Sequence, residues 1–264
     1  MSERDWQRRI DRADELAKRH DSAAEILRFY AKVLSYQAEL YRELQGAKWT
    51  ADPGPNPFAS ALTPEAATGF RRFLKAIEGS GPAKLAEAAA QVGAHGLDKH
   101  HELLAAFWEG DPSAQGTDDF LRRAYLQPLA AHLRERSNTR WSGPPPYVCP
   151  HCGRKPSGGV LRPLGEGAQR SLICSFCLGE WEFRRLVCAA CGQENPDKLA
   201  VYAAEELQHV RVEACESCKS YIKTVDLTKS GLGEPVVDEL ASVALDLWAQ
   251  GRGYAKLQVN LMQM

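Results

Sequence analysis

Cys149-Pro150-His151-Cys152-Gly153, Cys174-Ser175-Phe176-Cys177-Leu178, Cys188-Ala189-Ala190-Cys191-Gly192 and Cys215-Glu216-Ser217-Cys218-Lys219 decide the architecture of the carboxyl-terminal half. These four C-x-x-C pairs use all 8 cysteines of the 264-residue chain. Two residues between thiols suit a tight turn that aims both sulfurs at one ion, and two such turns supply four thiolates to a tetrahedral site. The pattern predicts two metal ions, one per four-cysteine site, with Cys149, Cys152, Cys174 and Cys177 on the first and Cys188, Cys191, Cys215 and Cys218 on the second.

The pairing rests on an internal repeat. Glycine follows the first and third pairs (Gly153, Gly192), whereas Leu178 and Lys219 follow the second and fourth. Corresponding cysteines lie 39 and 41 positions apart, so a module of about 40 residues is used twice. Glycine permits the left-handed backbone that turns loop amides toward sulfur, and its absence after Cys177 and Cys218 predicts looser second knuckles. A crossed arrangement, in which Cys174/Cys177 close with Cys188/Cys191, is the alternative and lacks the support of the repeat.

Other cysteine chemistries fit less well. Residues 1–20 contain no apolar signal-like segment and the chain has no membrane-length apolar run, which favours thiols in a reducing cytoplasm over disulfides. A redox C-x-x-C should open a helix that lowers the first thiol pKa. Gly153-Arg154-Lys155-Pro156-Ser157-Gly158-Gly159 is a poor helix. The ions are therefore read mainly as architectural, folding small β units. No Ser-His-Asp, phosphate-cradling or His-Glu-x-x-His pattern is present, and no catalytic residue or organic cofactor is expected. His151 reads as an exposed turn residue and His100-His101-Glu102 as a solvated helix face.

Net charge is −1 with a pI near 6.7. Between Arg140 and Glu234 there are 12 Lys+Arg against 11 Asp+Glu, and eight thiolates with two divalent ions would bring this segment to −3. Phosphate binding needs the opposite sign, so a nucleic-acid adaptor is the runner-up, and a protein partner fits better.

Residues 1–140 lack cysteine and are rich in Ala, Leu, Glu and Arg. Ile26, Phe29, Tyr30, Val33, Leu34, Leu40, Tyr41 and Leu44 recur at helical spacing after a possible Ser22/Glu25 cap, and only Gln37 interrupts the stripe. Asp52–Pro57 reads as a linker, and Thr63-Pro64-Glu65 restarts a helix. Further helices are expected around residues 85–92, 98–108 and 118–133, with Pro128 kinking the last. Ser142–Pro146 should stiffen the junction to the ribbons. One amphipathic helix is expected over Pro235–Ala249, with Val236, Val237, Leu240, Val243, Ala244, Leu247 and Trp248 on its apolar side, packed on the ribbons or the bundle.

Trp181, Phe183, Arg185 and Val187 alternate on an expected strand that runs into Cys188. Trp181 and Phe183 suit an inter-ribbon core, and Arg185 suits either an ion pair with Glu180 or a partner contact. Tyr221 and Lys223 should share one strand face, as a solvated surface or a contact. Trp181, Arg185, Tyr221 and Lys223 are the candidate partner-binding residues.

Cys149-Pro150-x-Cys152-Gly153-x-x-Pro156, Arg170 before Cys174, and Cys177-x-x-Glu180-Trp181 resemble the formate dehydrogenase accessory protein family (FdhE). So do Cys188-x-x-Cys191, Glu213-x-Cys215-x-x-Cys218-x-x-Tyr221-x-Lys223, Asp238-x-Leu240-Ala241-Ser242, Gly253-Tyr254 and Asn260. The resemblance implies an α+β multidomain chain, with a helical bundle (1–140), two tandem rubredoxin-like zinc-ribbon modules (141–187 and 188–233) and a C-terminal helix and tail (234–264). It further implies iron or zinc in the two sites. The implied task is cytoplasmic: binding the catalytic subunit of a respiratory, molybdenum-containing formate dehydrogenase during maturation and before twin-arginine export. Iron would open a second possibility, redox or sulfur transfer to that subunit.

Overall fold

The structure, a computed structural model, describes residues 2–46, 62, 64–110, 116–136 and 147–264. The linker at 52–57, the Thr63 cap, Pro112 and the junction at 142–146 lie outside the described residues. Among the described residues, six helices come first: α1 (Glu3–Arg19), α2 (Ala24–Gly46), α3 (Pro64–Ser80), α4 (Ala83–Gly93), α5 (Leu97–Glu109) and α6 (Gly116–Arg136). Strands β1 (Pro156–Leu164), β2 (Gly167–Cys174), β3 (Glu180–Glu182), β4 (Leu199–Ala203), β5 (Val210–Cys215) and β6 (Ser220–Asp226) follow. Two short helices, α7 (Pro235–Ala241) and α8 (Val243–Gly251), and strand β7 (Ala255–Lys256) complete the chain.

The helical half is α-helical for the reasons its periodicity gives. On α2, Leu27, Tyr30, Val33, Leu34 and Tyr41 turn inward. Gln37 does not leave the stripe. It is buried, and its amide donates to the Ala124 carbonyl (2.8 Å) and to Gln127 Oε1 (3.1 Å), tying α2 to α6. A buried amide tolerates an apolar surround only when it finds such partners. The helix assigned across Pro128 continues without a break to Arg136. His100 is buried, not solvated, and its Nε2 lies 2.8 Å from the Val92 carbonyl.

Both ribbons belong to one sheet, ordered β3-β2-β1-β6-β5-β4, with β7 beside β6. Within each module the strands are antiparallel, but β1 and β6 run parallel, with Gly159 opposite Thr224. The repeat is therefore a physical one, in which the third strand of the second module joins the first strand of the first. At this seam a Cβ on Gly159 would come 2.5 Å from Thr224 Oγ1, so the strands pack because that residue has no side chain. Gly159→Val should lower stability by about 1–3 kcal/mol through overpacking, read as a shift of the urea midpoint. An unchanged midpoint would show that the seam can open to fit the larger residue.

The expected single helix over 235–249 is instead two, broken at Ser242 (φ −93°, ψ 37°). The break sits on β6. The Lys223 ammonium donates to the Glu239 carbonyl (2.5 Å), the Ser242 carbonyl (3.2 Å) and the Ser242 hydroxyl oxygen (3.0 Å), sharing these carbonyls with the three-residue backbone bonds from Ser242 and Leu245 and so holding the break in place. A cation at a helix C-terminus is also favoured by the helix dipole. The apolar side is corrected accordingly: Ala244 and Leu247 are exposed, while Glu234, Asp238, Glu239 and Asp246 are buried.

Those acids join the two halves. Arg9 meets Glu234 (3.0 Å) and Arg12 meets Asp238 in a two-pronged contact (3.0 and 2.5 Å), so α1 is latched to α7. The Arg12 and His209 contacts hold the Asp238 carboxyl below its ordinary range against the opposing effect of burial. One apolar core runs from Trp6 and Tyr41 through α6 to Phe176, Leu178 and Trp181 of the first ribbon. A second lies between the sheet face of Val210, Val212 and Val225 and the α8 residues Leu245 and Ala249. α7 and α8 thus pack on both the ribbons and the bundle.

Candidate metal centres

Each knuckle is a short loop closed by its own backbone. The Gly153 amide donates to the Cys149 carbonyl (2.9 Å), and Gly192 to Cys188 (3.0 Å). In the fourth knuckle Lys219 does the same to Cys215 (2.9 Å). Gly153 and Gly192 have φ of 72° and 75°, the left-handed conformation their lack of a side chain permits. Leu178 and Lys219 adopt it as well, at 56° and 55°, so the expectation of looser second knuckles is wrong. The fold imposes one loop geometry four times and accepts backbone strain at the two non-glycine positions.

The eight sulfurs gather into two clusters, Cys149/Cys152/Cys174/Cys177 and Cys188/Cys191/Cys215/Cys218, each with all sulfurs within 4.8 Å of one another. The crossed pairing is excluded. Sulfur–sulfur distances across the knuckles are 3.5 and 3.3 Å in the first cluster and 3.7 and 3.8 Å in the second, and all eight cysteines are free. A tetrahedral ion with metal–sulfur bonds of about 2.3 Å has edges of about 3.8 Å, so the donor set fits one four-coordinate ion per cluster. Amides point at sulfur as that chemistry requires: Phe176 to Cys174 (3.3 Å) and Ala190 to Cys188 (3.4 Å). His151 joins neither cluster.

Proton affinities follow the clustering. Hydrogen bonds from Cys152, Cys174 and Cys177 push the Cys149 sulfur far below the ordinary thiol range. Burial pushes Cys174 up, and hydrogen bonding to Cys149 and Cys152 pushes Cys177 up. In the second cluster burial drives Cys188 up to about 12. Cys218 is opposed by burial but brought to about 7 by hydrogen bonds from Ser220 and its neighbouring sulfurs. Ions must expel the protons of the raised thiols in order to bind. Apparent zinc affinity should therefore rise with pH around neutrality, by about tenfold per pH unit for each proton released. Competition titrations at several pH values measure this, and a flat profile would contradict it.

The four candidate contact residues separate. Trp181 is buried in the shared core, packed on the Leu172 side of the sheet. Tyr221 and Lys223 do share a face, but it is an interior one: the Tyr221 hydroxyl donates to Asp246 (2.8 Å), and Lys223 meets Asp246 (2.5 Å) and Glu239 (3.1 Å). Neither is a solvated surface nor open to a partner. Only Arg185 is exposed. The expected strand into Cys188 ends at Glu182, and Glu180 pairs with Arg162 instead of Arg185. Sequence reading missed Arg184, whose guanidinium makes two bonds to Glu194 (2.6 and 2.8 Å) and links the modules.

Residues 148–185 match the family model described as the FdhE central domain and residues 186–263 that of the FdhE C-terminal domain. A solved structure, the crystal structure of the FdhE protein from Pseudomonas aeruginosa, superposes with a TM-score of 0.73 at 26% identity, over 100% of this chain and 96% of that one. The chain belongs to the FdhE family. An FdhE homolog of Aquifex aeolicus is 38% identical over 168 residues, 61% of this chain and 56% of the relative. One from Edwardsiella ictaluri is 32% identical over 208 residues, 72% and 64% of the two chains. The first of these matches spans about half the length of the relative. The solved FdhE structure carries the similarity into the helical half, which the two family models do not cover.

Proposed function

We propose that this chain is a non-catalytic accessory factor that binds the catalytic subunit of a respiratory formate dehydrogenase in the cytoplasm and supports its assembly before export, with zinc or iron in both four-cysteine sites. Family membership is the observation that carries this reading. The charge balance supports a protein partner over nucleic acid, and no helix among the described residues is long and apolar enough to cross a membrane.

The docking face in this reading is the seam where the end of the first ribbon runs into the second. Leu186 and Val201 stand exposed at the rim of a cavity of about 150 Å³, with Arg185, Arg211 and the backs of Cys188 and Cys215 in its wall. Exposed apolar side chains ringed by arginine are the composition of a contact surface. The test is capture of the catalytic subunit by a tagged, metal-loaded chain under anaerobic conditions. Leu186→Asp with Arg185→Glu should weaken capture by about tenfold or more while leaving stability within about 0.5 kcal/mol. Failure of the unaltered chain to capture the subunit would overturn the reading. Capture by the double variant at full strength would move the docking face elsewhere.

A further inference from the structure

The two sites have the same ligands but not the same surroundings. In the first, Cys149, Cys174 and Cys177 are buried and Cys152 is half-buried; in the second, Cys191 is exposed and Cys218 half-buried. The difference is made by the helical half. Phe176, inside the Cys174–Cys177 knuckle, is held edge-on by Phe107 and Trp108 of α5, each with ring centroids 5.4 Å away. Arg154 stacks over Phe107 (5.0 Å) and Phe176 (5.6 Å) and donates to the Phe107 carbonyl, closing the loop between the first knuckle and β1 onto the same helix.

Charge is distributed unequally as well. Four thiolates around a divalent ion leave a net −2, which a low-dielectric setting makes costly unless cations stand nearby. Arg123 of α6 is buried against the second knuckle, and among the described residues its hydrogen bonds all go to backbone carbonyls, with the Asp119 carboxylate acting on it only through charge. Its guanidinium donates to the Ser175 carbonyl (2.8 and 3.2 Å) and to the carbonyls of Asn260 (2.9 Å) and Val259 (3.1 Å). Arg134, a further three turns along α6, donates to the Leu178 carbonyl (3.1 Å) and also meets Glu135 (3.2 Å); its side chain is largely buried and fills the space in front of Gly179 beside the Cys177 sulfur. Around the second site the corresponding cation is Lys219, an exposed side chain already paired with Glu216 (2.5 Å).

We propose that the two ions are unequal in use: the first is a closed, permanent ion whose charge Arg123 and Arg134 offset, and the second is the labile, solvent-reachable ion that a partner protein or an exchanging ligand can touch. The proposal rests on the metal-site reading above and adds an assignment of roles. Release of the first ion requires the α5–α6 surface to lift from the knuckle, an opening that shares the core of the whole molecule, whereas the second needs only a loop motion at Cys191.

The experiment uses the full chain loaded with two equivalents of zinc, an excess of chromogenic chelator and iodoacetamide to cap thiols as they are freed. Zinc release should be biphasic, with one equivalent leaving about tenfold or more faster than the other. Peptide mass analysis during the fast phase should find carbamidomethyl on Cys188, Cys191, Cys215 and Cys218, with Cys149, Cys152, Cys174 and Cys177 unlabelled. Release of both equivalents in one phase, or early labelling of the first four, would overturn the assignment. A chain that takes up no zinc would instead overturn the metal-site reading itself.

Discussion

Replacing Cys177 with serine should reduce bound zinc from two equivalents to one and destabilise the whole chain, not only its first ribbon. Structural zinc in four-ligand sites contributes on the order of 10 kcal/mol to folding, and loss of one thiolate removes most of it. Cys177, Cys174 and Cys149 lie in the same apolar cluster as Trp6, Tyr41 and the α6 residues Leu126 and Leu133. Unfolding of the first ribbon therefore exposes one wall of the helical core, and a single domain at the stability typical of proteins has about 5–15 kcal/mol to lose. The measurement is a thermal melt followed by helical signal, with metal analysis on the same sample. A melt matching the unaltered chain after loss of one ion would mean that the bundle stands independently of the first centre.

Lys223→Met should cost about 3–5 kcal/mol, because it removes one of the two cations that offset two buried carboxylates and leaves Lys256 alone to balance both. Lys223 is wholly buried and bridges Asp246, Glu239 and the broken end of α7; Lys256 meets the same acids at 2.5 and 3.0 Å but donates to the Met264 carbonyl instead of to the Glu239 carbonyl that Lys223 holds. Burial by itself would raise the Glu239 carboxyl, yet Lys223 and Lys256 hold it down at about 2. A depressed carboxylate stabilises the fold fully above its unfolded value of 4.5 and loses that contribution as pH falls toward 2. The gap between the unaltered chain and the variant should accordingly be widest near neutrality and narrow in acid. Denaturant titrations across that range test it, and a pH-independent gap would show that Lys223 acts through packing alone. Adding Asp246→Asn to the variant should recover part of the loss, since Lys256 then faces one buried carboxylate instead of two.

The cysteine doublets were legible because their chemistry is local. Two residues between thiols fix a loop, and the repeat tells which loops close together without knowledge of any other part of the chain. The apolar stripe of α2 was legible for the same reason, since Leu27, Val33 and Leu34 face inward whatever they meet. Tyr221, Lys223 and the acids of α7 were not. A charged side chain reads as solvated from its own segment, and only the crossing of β6 beneath α7 and of α1 beside it supplies the counter-charges that let Lys223, Asp238 and Glu239 be buried. Arg9 and Arg12 of α1 are the same case, since the acids that let them be buried lie over two hundred positions away.

By itself, then, the sequence determined two four-thiolate sites, their pairing and a helical amino-terminal half, all properties set by spacing over a few turns or one repeat. Tertiary structure alone decided that the ribbons share a sheet through a parallel seam, that the break after α7 sits on a buried lysine, and that one sulfur cluster lies under the helices while the other faces water. Those outcomes depend on which distant surfaces meet, and the free energy of a buried ion pair or a covered metal site exists only once both partners are in place.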